Sequence, residues 1–152
     1  MIILGIDPGT TRIGYGLIKK ERNVLTPVYY GLISQPSPSL VMSELNEIIK
    51  KYKPGLAAVE KLFFFKNQKT IIAVSEMRGV IMASLAMNNV PTEEFTPLQV
   101  KQAVSGYGRA GKVQVEQMVR LILNIKEVIK PDDIADGLAI AICCANNIVY
   151  RK

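Results

Sequence analysis

The sequence predicts an α/β domain in which a mixed sheet is flanked by helices, and three observations carry that expectation. Three apolar or alternating runs follow one another at the start: residues 2–7, 11–20 and 24–34. Segments with helical spacing then alternate with two short strand-like runs, "GLAAVE" and "PTEEFTP". No internal repeat, low-complexity tract or linker breaks that order. Strands first, then alternating helix and strand, is the pattern of a sheet with antiparallel and parallel parts and helices packed on it.

Each element has its own signal. "IILGI" is continuously apolar up to Asp7, as expected of a strand buried on both faces. Gly9-Thr10-Thr11 makes a turn, and "TRIGYGLIKK" and "VLTPVYYGLIS" complete an antiparallel meander. "QPSPS" is a loop, after which Leu40, Val41, Leu45, Ile48 and Ile49 fall at helical spacing before the stop signal Pro54-Gly55. "GLAAVE" reads as a strand buried on both faces, and it too ends in a carboxylate, Glu60. From Thr70 to Met87 a helix is apolar almost all the way round, so a face beyond what a core needs is expected to meet a partner chain. Thr96-Pro97 is an N-cap and first-position pair opening a helix through about Val104. "SGYGRAGK" is a Gly-rich loop, and Val113 to Leu123 and Pro131 to Ile148 complete the chain as helices.

Composition narrows the function. At 152 residues and 49% hydrophobic content, the chain is long enough to bury a substantial core in one domain, residues 1–152. The 19 Lys+Arg against 13 Asp+Glu give a formal charge of +6, which favours a polyanionic partner and equally fits many ordinary proteins. Adjacent Cys143 and Cys144 build no disulfide framework and suit a reducing compartment. No stretch reads as long and apolar enough to span a bilayer, and "MIILGID" lacks the basic start and cleavage site of a signal peptide, so a cytoplasmic location is expected. The absence of histidine removes His-dependent triads and His-based zinc chemistry. Any hydrolysis must use carboxylates, lysine or a metal.

Asp is depleted inside strands, so Asp7 needs a reason to end an apolar one. Glu60 ends a second, and "KPDDIADGLAIAI" places Asp132, Asp133 and Asp136 in the first turn and a half of the last helix. Positions three or four apart share a helix face, so either Asp132 or Asp133 can pair with Asp136. Pro131-Asp132 favours Asp132 as the N-cap, its side chain spent on backbone N–H groups. If the two strands are neighbours and the helix crosses their ends, the acids converge. Such a cluster needs cations, and hard oxygen donors suit Mg²⁺ or Mn²⁺. Two such ions about 3.5–4 Å apart activate water and stabilise the leaving oxygen in phosphodiester hydrolysis. Taken singly, strand-end acids often face solvent, and acids at a helix N-terminus are favoured by the dipole and by capping. Convergence of four acids is what points to catalysis.

Basic and aromatic residues complete the pattern. Phe63, Phe64 and Phe65 are too many for a surface turn, and one offers a face to an unpaired base, worth roughly 1–3 kcal/mol by stacking. A core role is the alternative for Phe64 and Phe65. Between Gln99 and Lys130 lie Lys101, Arg109, Lys112, Arg120, Lys126 and Lys130 against Glu116 and Glu127, an excess suited to phosphates. Arg120, Lys126 and Lys130 also read as solvated helix faces. "SGYGRAGK" lacks the spacing of a nucleotide phosphate loop.

The runs "GIDPGTTRIGYGLI", "VEKLFFFKNQKT", "MRGV", "PLQVKQAVSGYGRAGKVQVEQMV" and "PDDIADGLAIAICCA" resemble, in order and spacing, the bacterial RuvC Holliday junction resolvases, from residue 1 to about residue 147. The resemblance implies a ribonuclease H-like fold with a mixed five-stranded sheet, and a homodimer that binds a four-way DNA junction. It implies symmetric, Mg²⁺-dependent nicking of two like-polarity strands that leaves ligatable ends, with Mn²⁺ as a substitute and two ions per site. A RuvA–RuvB branch-migration complex is the partner it implies. Residue by residue, it puts the metal ligands at Asp7, Glu60, Asp133 and Asp136, the stacking aromatic at Phe63, and DNA-contacting lysines at Lys101 and Lys112. Arg109 joins them as a DNA contact from the local basic excess. The tail "CCANNIVYRK" departs from the family by lacking the histidines often seen there, and no role depends on them. Two other readings stand beside it. An actin-like nucleotide-binding module would use "GIDPGTT" as its phosphate loop, but such folds need two domains and more than twice this length. A junction-binding protein without cleavage is disfavoured because all four acids are present.

Overall fold

The computed structural model describes residues 1–62 and 68–148, so Phe63, with Phe64 and Phe65, lies outside the described residues. β1 (Ile2–Asp7), β2 (Arg12–Glu21) and β3 (Val24–Ser34) form the expected antiparallel meander. After α1 (Pro38–Tyr52), β4 (Leu56–Glu60) pairs in parallel with β1. After α2 (Gln68–Met87), β5 (Thr92–Phe95) pairs in parallel with β4. The result is a five-stranded mixed sheet in the order β3-β2-β1-β4-β5, followed by α3 (Pro97–Ser105), α4 (Lys112–Leu123) and α5 (Asp132–Asn147). The edge strand β3 carries Pro27 beside a register shift, where a missing N–H costs no ladder bond.

Strand alternation divides the core into two layers. Leu4, Ile6, Ala57 and Val59 pack against Leu45 of α1 and Ile81 and Leu85 of α2. Ile3 and Ala58 face the other way, into the cluster of α3, α4 and α5. By the same alternation, Asp7 and Glu60 belong to the α5 side of the sheet.

α5 explains its uniformly apolar sequence, because Leu138 through Ala145 are each at most 1% exposed. Cys143 and Cys144 are core residues, and burial pushes the Cys143 thiol up to about 11. The helix lies almost backbone to backbone on β2. A Cβ on Gly14 would stand 1.7 Å from the Asp133 carbonyl oxygen, and one on Gly137 would stand 2.7 Å from the Tyr15 Cα.

Local signals hold at most helix ends. The Thr96 hydroxyl and the Gln99 side chain form a reciprocal capping box at α3. α1 starts at Pro38, two residues before the apolar spacing begins, because the Ser37 hydroxyl caps it. At α5 the expectation is corrected. Pro131 is the N-cap, with no side-chain cap bond, and Asp132 is already helical with its carboxylate engaged by Lys112. An ammonium is a stronger partner than a backbone N–H.

The expectation that no stretch could span a bilayer is also corrected. Lys69–Met87 is 19 residues long with a mean hydropathy of 1.5, enough by length and composition. In this fold α2 is a core helix along one face: Ile81 and Leu85 are fully buried, and Arg78 is ion-paired with Glu94 of β5. Its outer face carries Ile72, Ser75, Gly79, Ala83, Ala86 and Met87, with Ile72 60% and Met87 72% exposed.

Candidate active site

Ile6 stands opposite Val59 in the parallel β1–β4 pair, so Asp7 and Glu60 end adjacent strands side by side. α5 brings Asp133 and Asp136 across those ends, held close by the contact of Gly14 with the Asp133 backbone. Three of the acids are raised by their surroundings. Asp7 is raised well above the usual carboxylate range, first by burial and then by Glu60, Asp136 and Asp133, with Lys112 opposing. Glu60 is pushed up to about 7 by burial and by Asp136, eased by Lys101. Asp136 is pushed up to about 6 chiefly by burial; Lys112 and Lys101 oppose the rise, and Asp132 and Asp133 add to it. The structure thus brings together Asp7, Glu60, Asp133 and Asp136, with Lys101 of α3 and Lys112 of α4 beside them.

Buried, mutually repelling carboxylates with hard oxygen donors fit a divalent cation, whose charge offsets both burial and repulsion. Among the described residues, no three acids form one coordination group.

Further residues shape this surface. Lys112 Nζ donates to Asp132 Oδ2 at 2.6 Å, a contact that lowers the Asp132 carboxyl and raises the Lys112 ammonium. Arg12 Nη1 lies 3.6 Å from Asp133 Oδ2. Arg78 Nε donates to the Glu60 carbonyl at 3.2 Å while its other end pairs with Glu94, fixing the end of β4. Sequence reasoning gave neither arginine a role, although a lone arginine in the apolar α2 was a signal that a partner was waiting. Arg109 is exposed on the α3–α4 connection. Arg120 is not a phosphate ligand in waiting: it donates to the Lys126 carbonyl at 2.6 Å and pairs with Glu116 at 3.8 Å.

A groove of about 430 Å³ runs beside the acids, lined by Gly9, Thr10, Arg12, Val74 and Asp133. A larger one, about 860 Å³, lies at the opposite end of α5 around Lys20, Gln102 and Asn146, away from any carboxylate cluster. Chemistry, rather than volume, marks the site.

The chain is similar to known proteins over nearly its whole length. A profile of the family described as Crossover junction endodeoxyribonuclease RuvC matches residues 3–144. A protein of that name from Halothermothrix orenii is 49% identical, covering 99% of this chain and 94% of its own. One from Desulfitobacterium hafniense is also 49% identical, covering 97% and 94%. The solved structure of T. thermophilus RuvC in complex with Holliday junction substrate matches with a TM-score of 0.90 at 31% identity, over 97% of this chain and 94% of that one. The Fowlpox virus resolvase, at 15% identity and a TM-score of 0.60 over 98% of this chain and 99% of that one, shares the fold alone. Matched over nearly its whole length by both profile and relatives, the chain belongs to the RuvC family of crossover junction endodeoxyribonucleases.

Proposed function

We propose that this chain resolves four-way DNA junctions by symmetric, metal-dependent nicking of two strands, using the acids that end β1 and β4 and open α5. The observation that supports it most is the meeting of Asp7 and Glu60 at adjacent strand ends with two acids of one helix, where Glu60, Asp136 and Asp133 add to burial in raising the Asp7 carboxyl. In this reading Asp7, Glu60, Asp133 and Asp136 hold Mg²⁺, or Mn²⁺ in its place, as two ions per site. When bound, these ions activate water and stabilise the leaving oxygen of the phosphodiester. Glu60 and Asp136 give up the protons that burial lets them keep and become ligands. Arg78 keeps the Glu60 backbone in place, and Arg12 steadies Asp133 from the β2 side. Lys101 and Lys112 take the phosphates flanking the cut, and Arg109 extends that contact along the exposed α3–α4 connection. Phe63 stacks on a base where the crossover opens.

Two cuts on a symmetric substrate call for two sites at a fixed separation. The outer face of α2 supports a homodimer: apart from Ser75 and Glu76 it carries apolar or small residues, and a Cβ on Gly79 would meet nothing within 4 Å, so the face is flat enough for a second helix. The reading treats residues 1–152 as one nuclease domain, acting in the cytoplasm and handed its junctions by a RuvA–RuvB complex.

The test is nicking of a synthetic four-way junction with Mg²⁺, against a linear duplex and against ATP as alternative substrates. Paired nicks at the crossover are expected, lost in Asp7→Asn while junction binding survives, because removing a ligand charge also reduces repulsion with phosphate. ATP turnover without nicking points to the nucleotide-binding alternative. Junction binding without nicking points to a protein that has lost cleavage.

A further inference from the structure

A groove of about 570 Å³ lies between α4 and the α4–α5 connection, and it shares Lys112 and Asp132 with the edge of the acid cluster. Val113, Val128, Ile129 and Pro131 line it, and Lys112, Lys130 and Glu116 stand in its wall. Val113 is 72% exposed and Val128 59% exposed, so packing explains neither valine. The connection is tied to its surroundings at two points. Arg120 Nη2 donates to the Lys126 carbonyl at 2.6 Å, and the Ile129 N–H donates to Glu116 Oε1 at 2.9 Å. A segment held this way keeps an apolar trough open instead of folding over it, and its volume falls within the about 300–1,000 Å³ usual for ligand sites.

We propose that this groove is a nucleoside subsite, which takes the sugar and base of one nucleotide next to the cut phosphate. The inference rests on the resolvase reading and adds a contact which that reading does not contain. Continuity is the first argument: Asp132 lines the groove, and the next residue, Asp133, belongs to the acid cluster. Charge is the second. Of the four charged residues in the wall, Glu116 accepts from the Ile129 N–H and pairs with Arg120, and Asp132 pairs with Lys112, which leaves the Lys130 ammonium to draw a phosphate rather than another copy of a chain carrying a net charge of +6. Lining chemistry is the third, because valines suit a deoxyribose or a base face, whereas a phosphate would seek the lysines on either side. The Lys112–Asp132 pair is exposed and therefore weak, so an incoming phosphate can take Asp132's place on the lysine.

The test combines a protein change with a substrate change. Val113→Ser plus Val128→Ser alters two exposed positions, and Val128→Ser alone repeats the measurement outside any helix. Single-turnover nicking with Mg²⁺ is measured on intact junctions and on junctions with one abasic nucleotide at each of the two positions either side of the cut. At one position the abasic residue is expected to slow the wild type about tenfold, the loss of one base contact. The variant is expected to be slowed about tenfold on intact DNA and no further by that abasic residue. Losses that multiply at every position, or a variant that nicks at the wild-type rate, overturn the subsite and leave the resolvase reading standing. A wild type that nicks no junction overturns both.

Discussion

Asp132 and Asp133 are neighbours in the chain with different partners. Asp132 turns its carboxylate to Lys112, whereas Asp133 lies by Arg12 and is one of the charges that raise Asp7. The Lys112–Asp132 pair is exposed on both sides, the kind worth at most about 1 kcal/mol. Asp132→Asn is therefore expected to shift stability by no more than about 1 kcal/mol and to leave nicking in place. Asp133→Asn should melt close to wild type and lose nicking, because a neutral amide is a poor ligand for a hard cation. Melting and junction nicking of both variants decide between the two aspartates, and an inactive Asp132→Asn beside an active Asp133→Asn would transfer the ligand role to Asp132. Sequence spacing alone left both aspartates open, since helix geometry lets either pair with Asp136. What separates them is Lys112, twenty residues away and visible only once α4 and α5 are packed.

At the scale of elements, α5 reaches the strand ends because glycine faces it across β2. A methyl on Gly137 would meet Tyr15 Cα at 2.7 Å and Tyr15 N at 2.8 Å, backbone atoms that cannot step aside. Gly137→Ala must lift the helix, with an expected loss of about 1–3 kcal/mol and a fall in nicking as Asp133 and Asp136 move off Asp7 and Glu60. Denaturant melts and nicking rates check it; a variant with wild-type values in both would show that the close approach is not what aligns the acids. α2 works by the opposite device, an outer face that its exposed residues leave open among the described residues. Ala83→Glu on that face is expected to give monomers on sedimentation at unchanged stability, while a persisting dimer would move the interface elsewhere. Leu85→Glu cannot serve, since Leu85 is fully buried in the core. The meander, the two later strands and the five helices were legible because each rests on a local pattern of apolar spacing or a local cap or turn signal. Ser37 shifted the start of α1 by two residues because a cap lies outside the apolar pattern it serves. Arg78, Arg120 and the glycine contacts were not legible, because each is a relation between elements distant in sequence.

Across the whole molecule, positive charge is in excess, yet Asp7, Glu60, Asp133 and Asp136 gather at one end of the sheet, with Lys101 and Lys112 near enough to oppose the rise of the Asp136 carboxyl. If each lysine holds one phosphate, Lys101→Ala and Lys112→Ala each lower the log–log salt slope of junction binding by about one; an unchanged slope would place them off the DNA. The same acids make stability depend on pH in a direction opposite to that of ordinary surface carboxylates. Glu60 is raised from 4.5 to about 7, Asp136 from 3.8 to about 6, and Asp7 is raised well above the usual carboxylate range, first by burial. Between about pH 4 and 7 the native protein therefore keeps protons that the unfolded chain has released, and stability falls as pH rises through that window. Divalent cations compete with those protons and bind the native, ionised site, so they restore stability most where the loss is greatest. Melting in EDTA is expected to fall between pH 5 and 8, with a shallower fall in Glu60→Gln, and Mg²⁺ should raise the midpoint more at pH 8 than at pH 5. A midpoint in EDTA that climbs over this range, or a Mg²⁺ shift of equal size at both pH values, would mean that the acid cluster does not hold the cation.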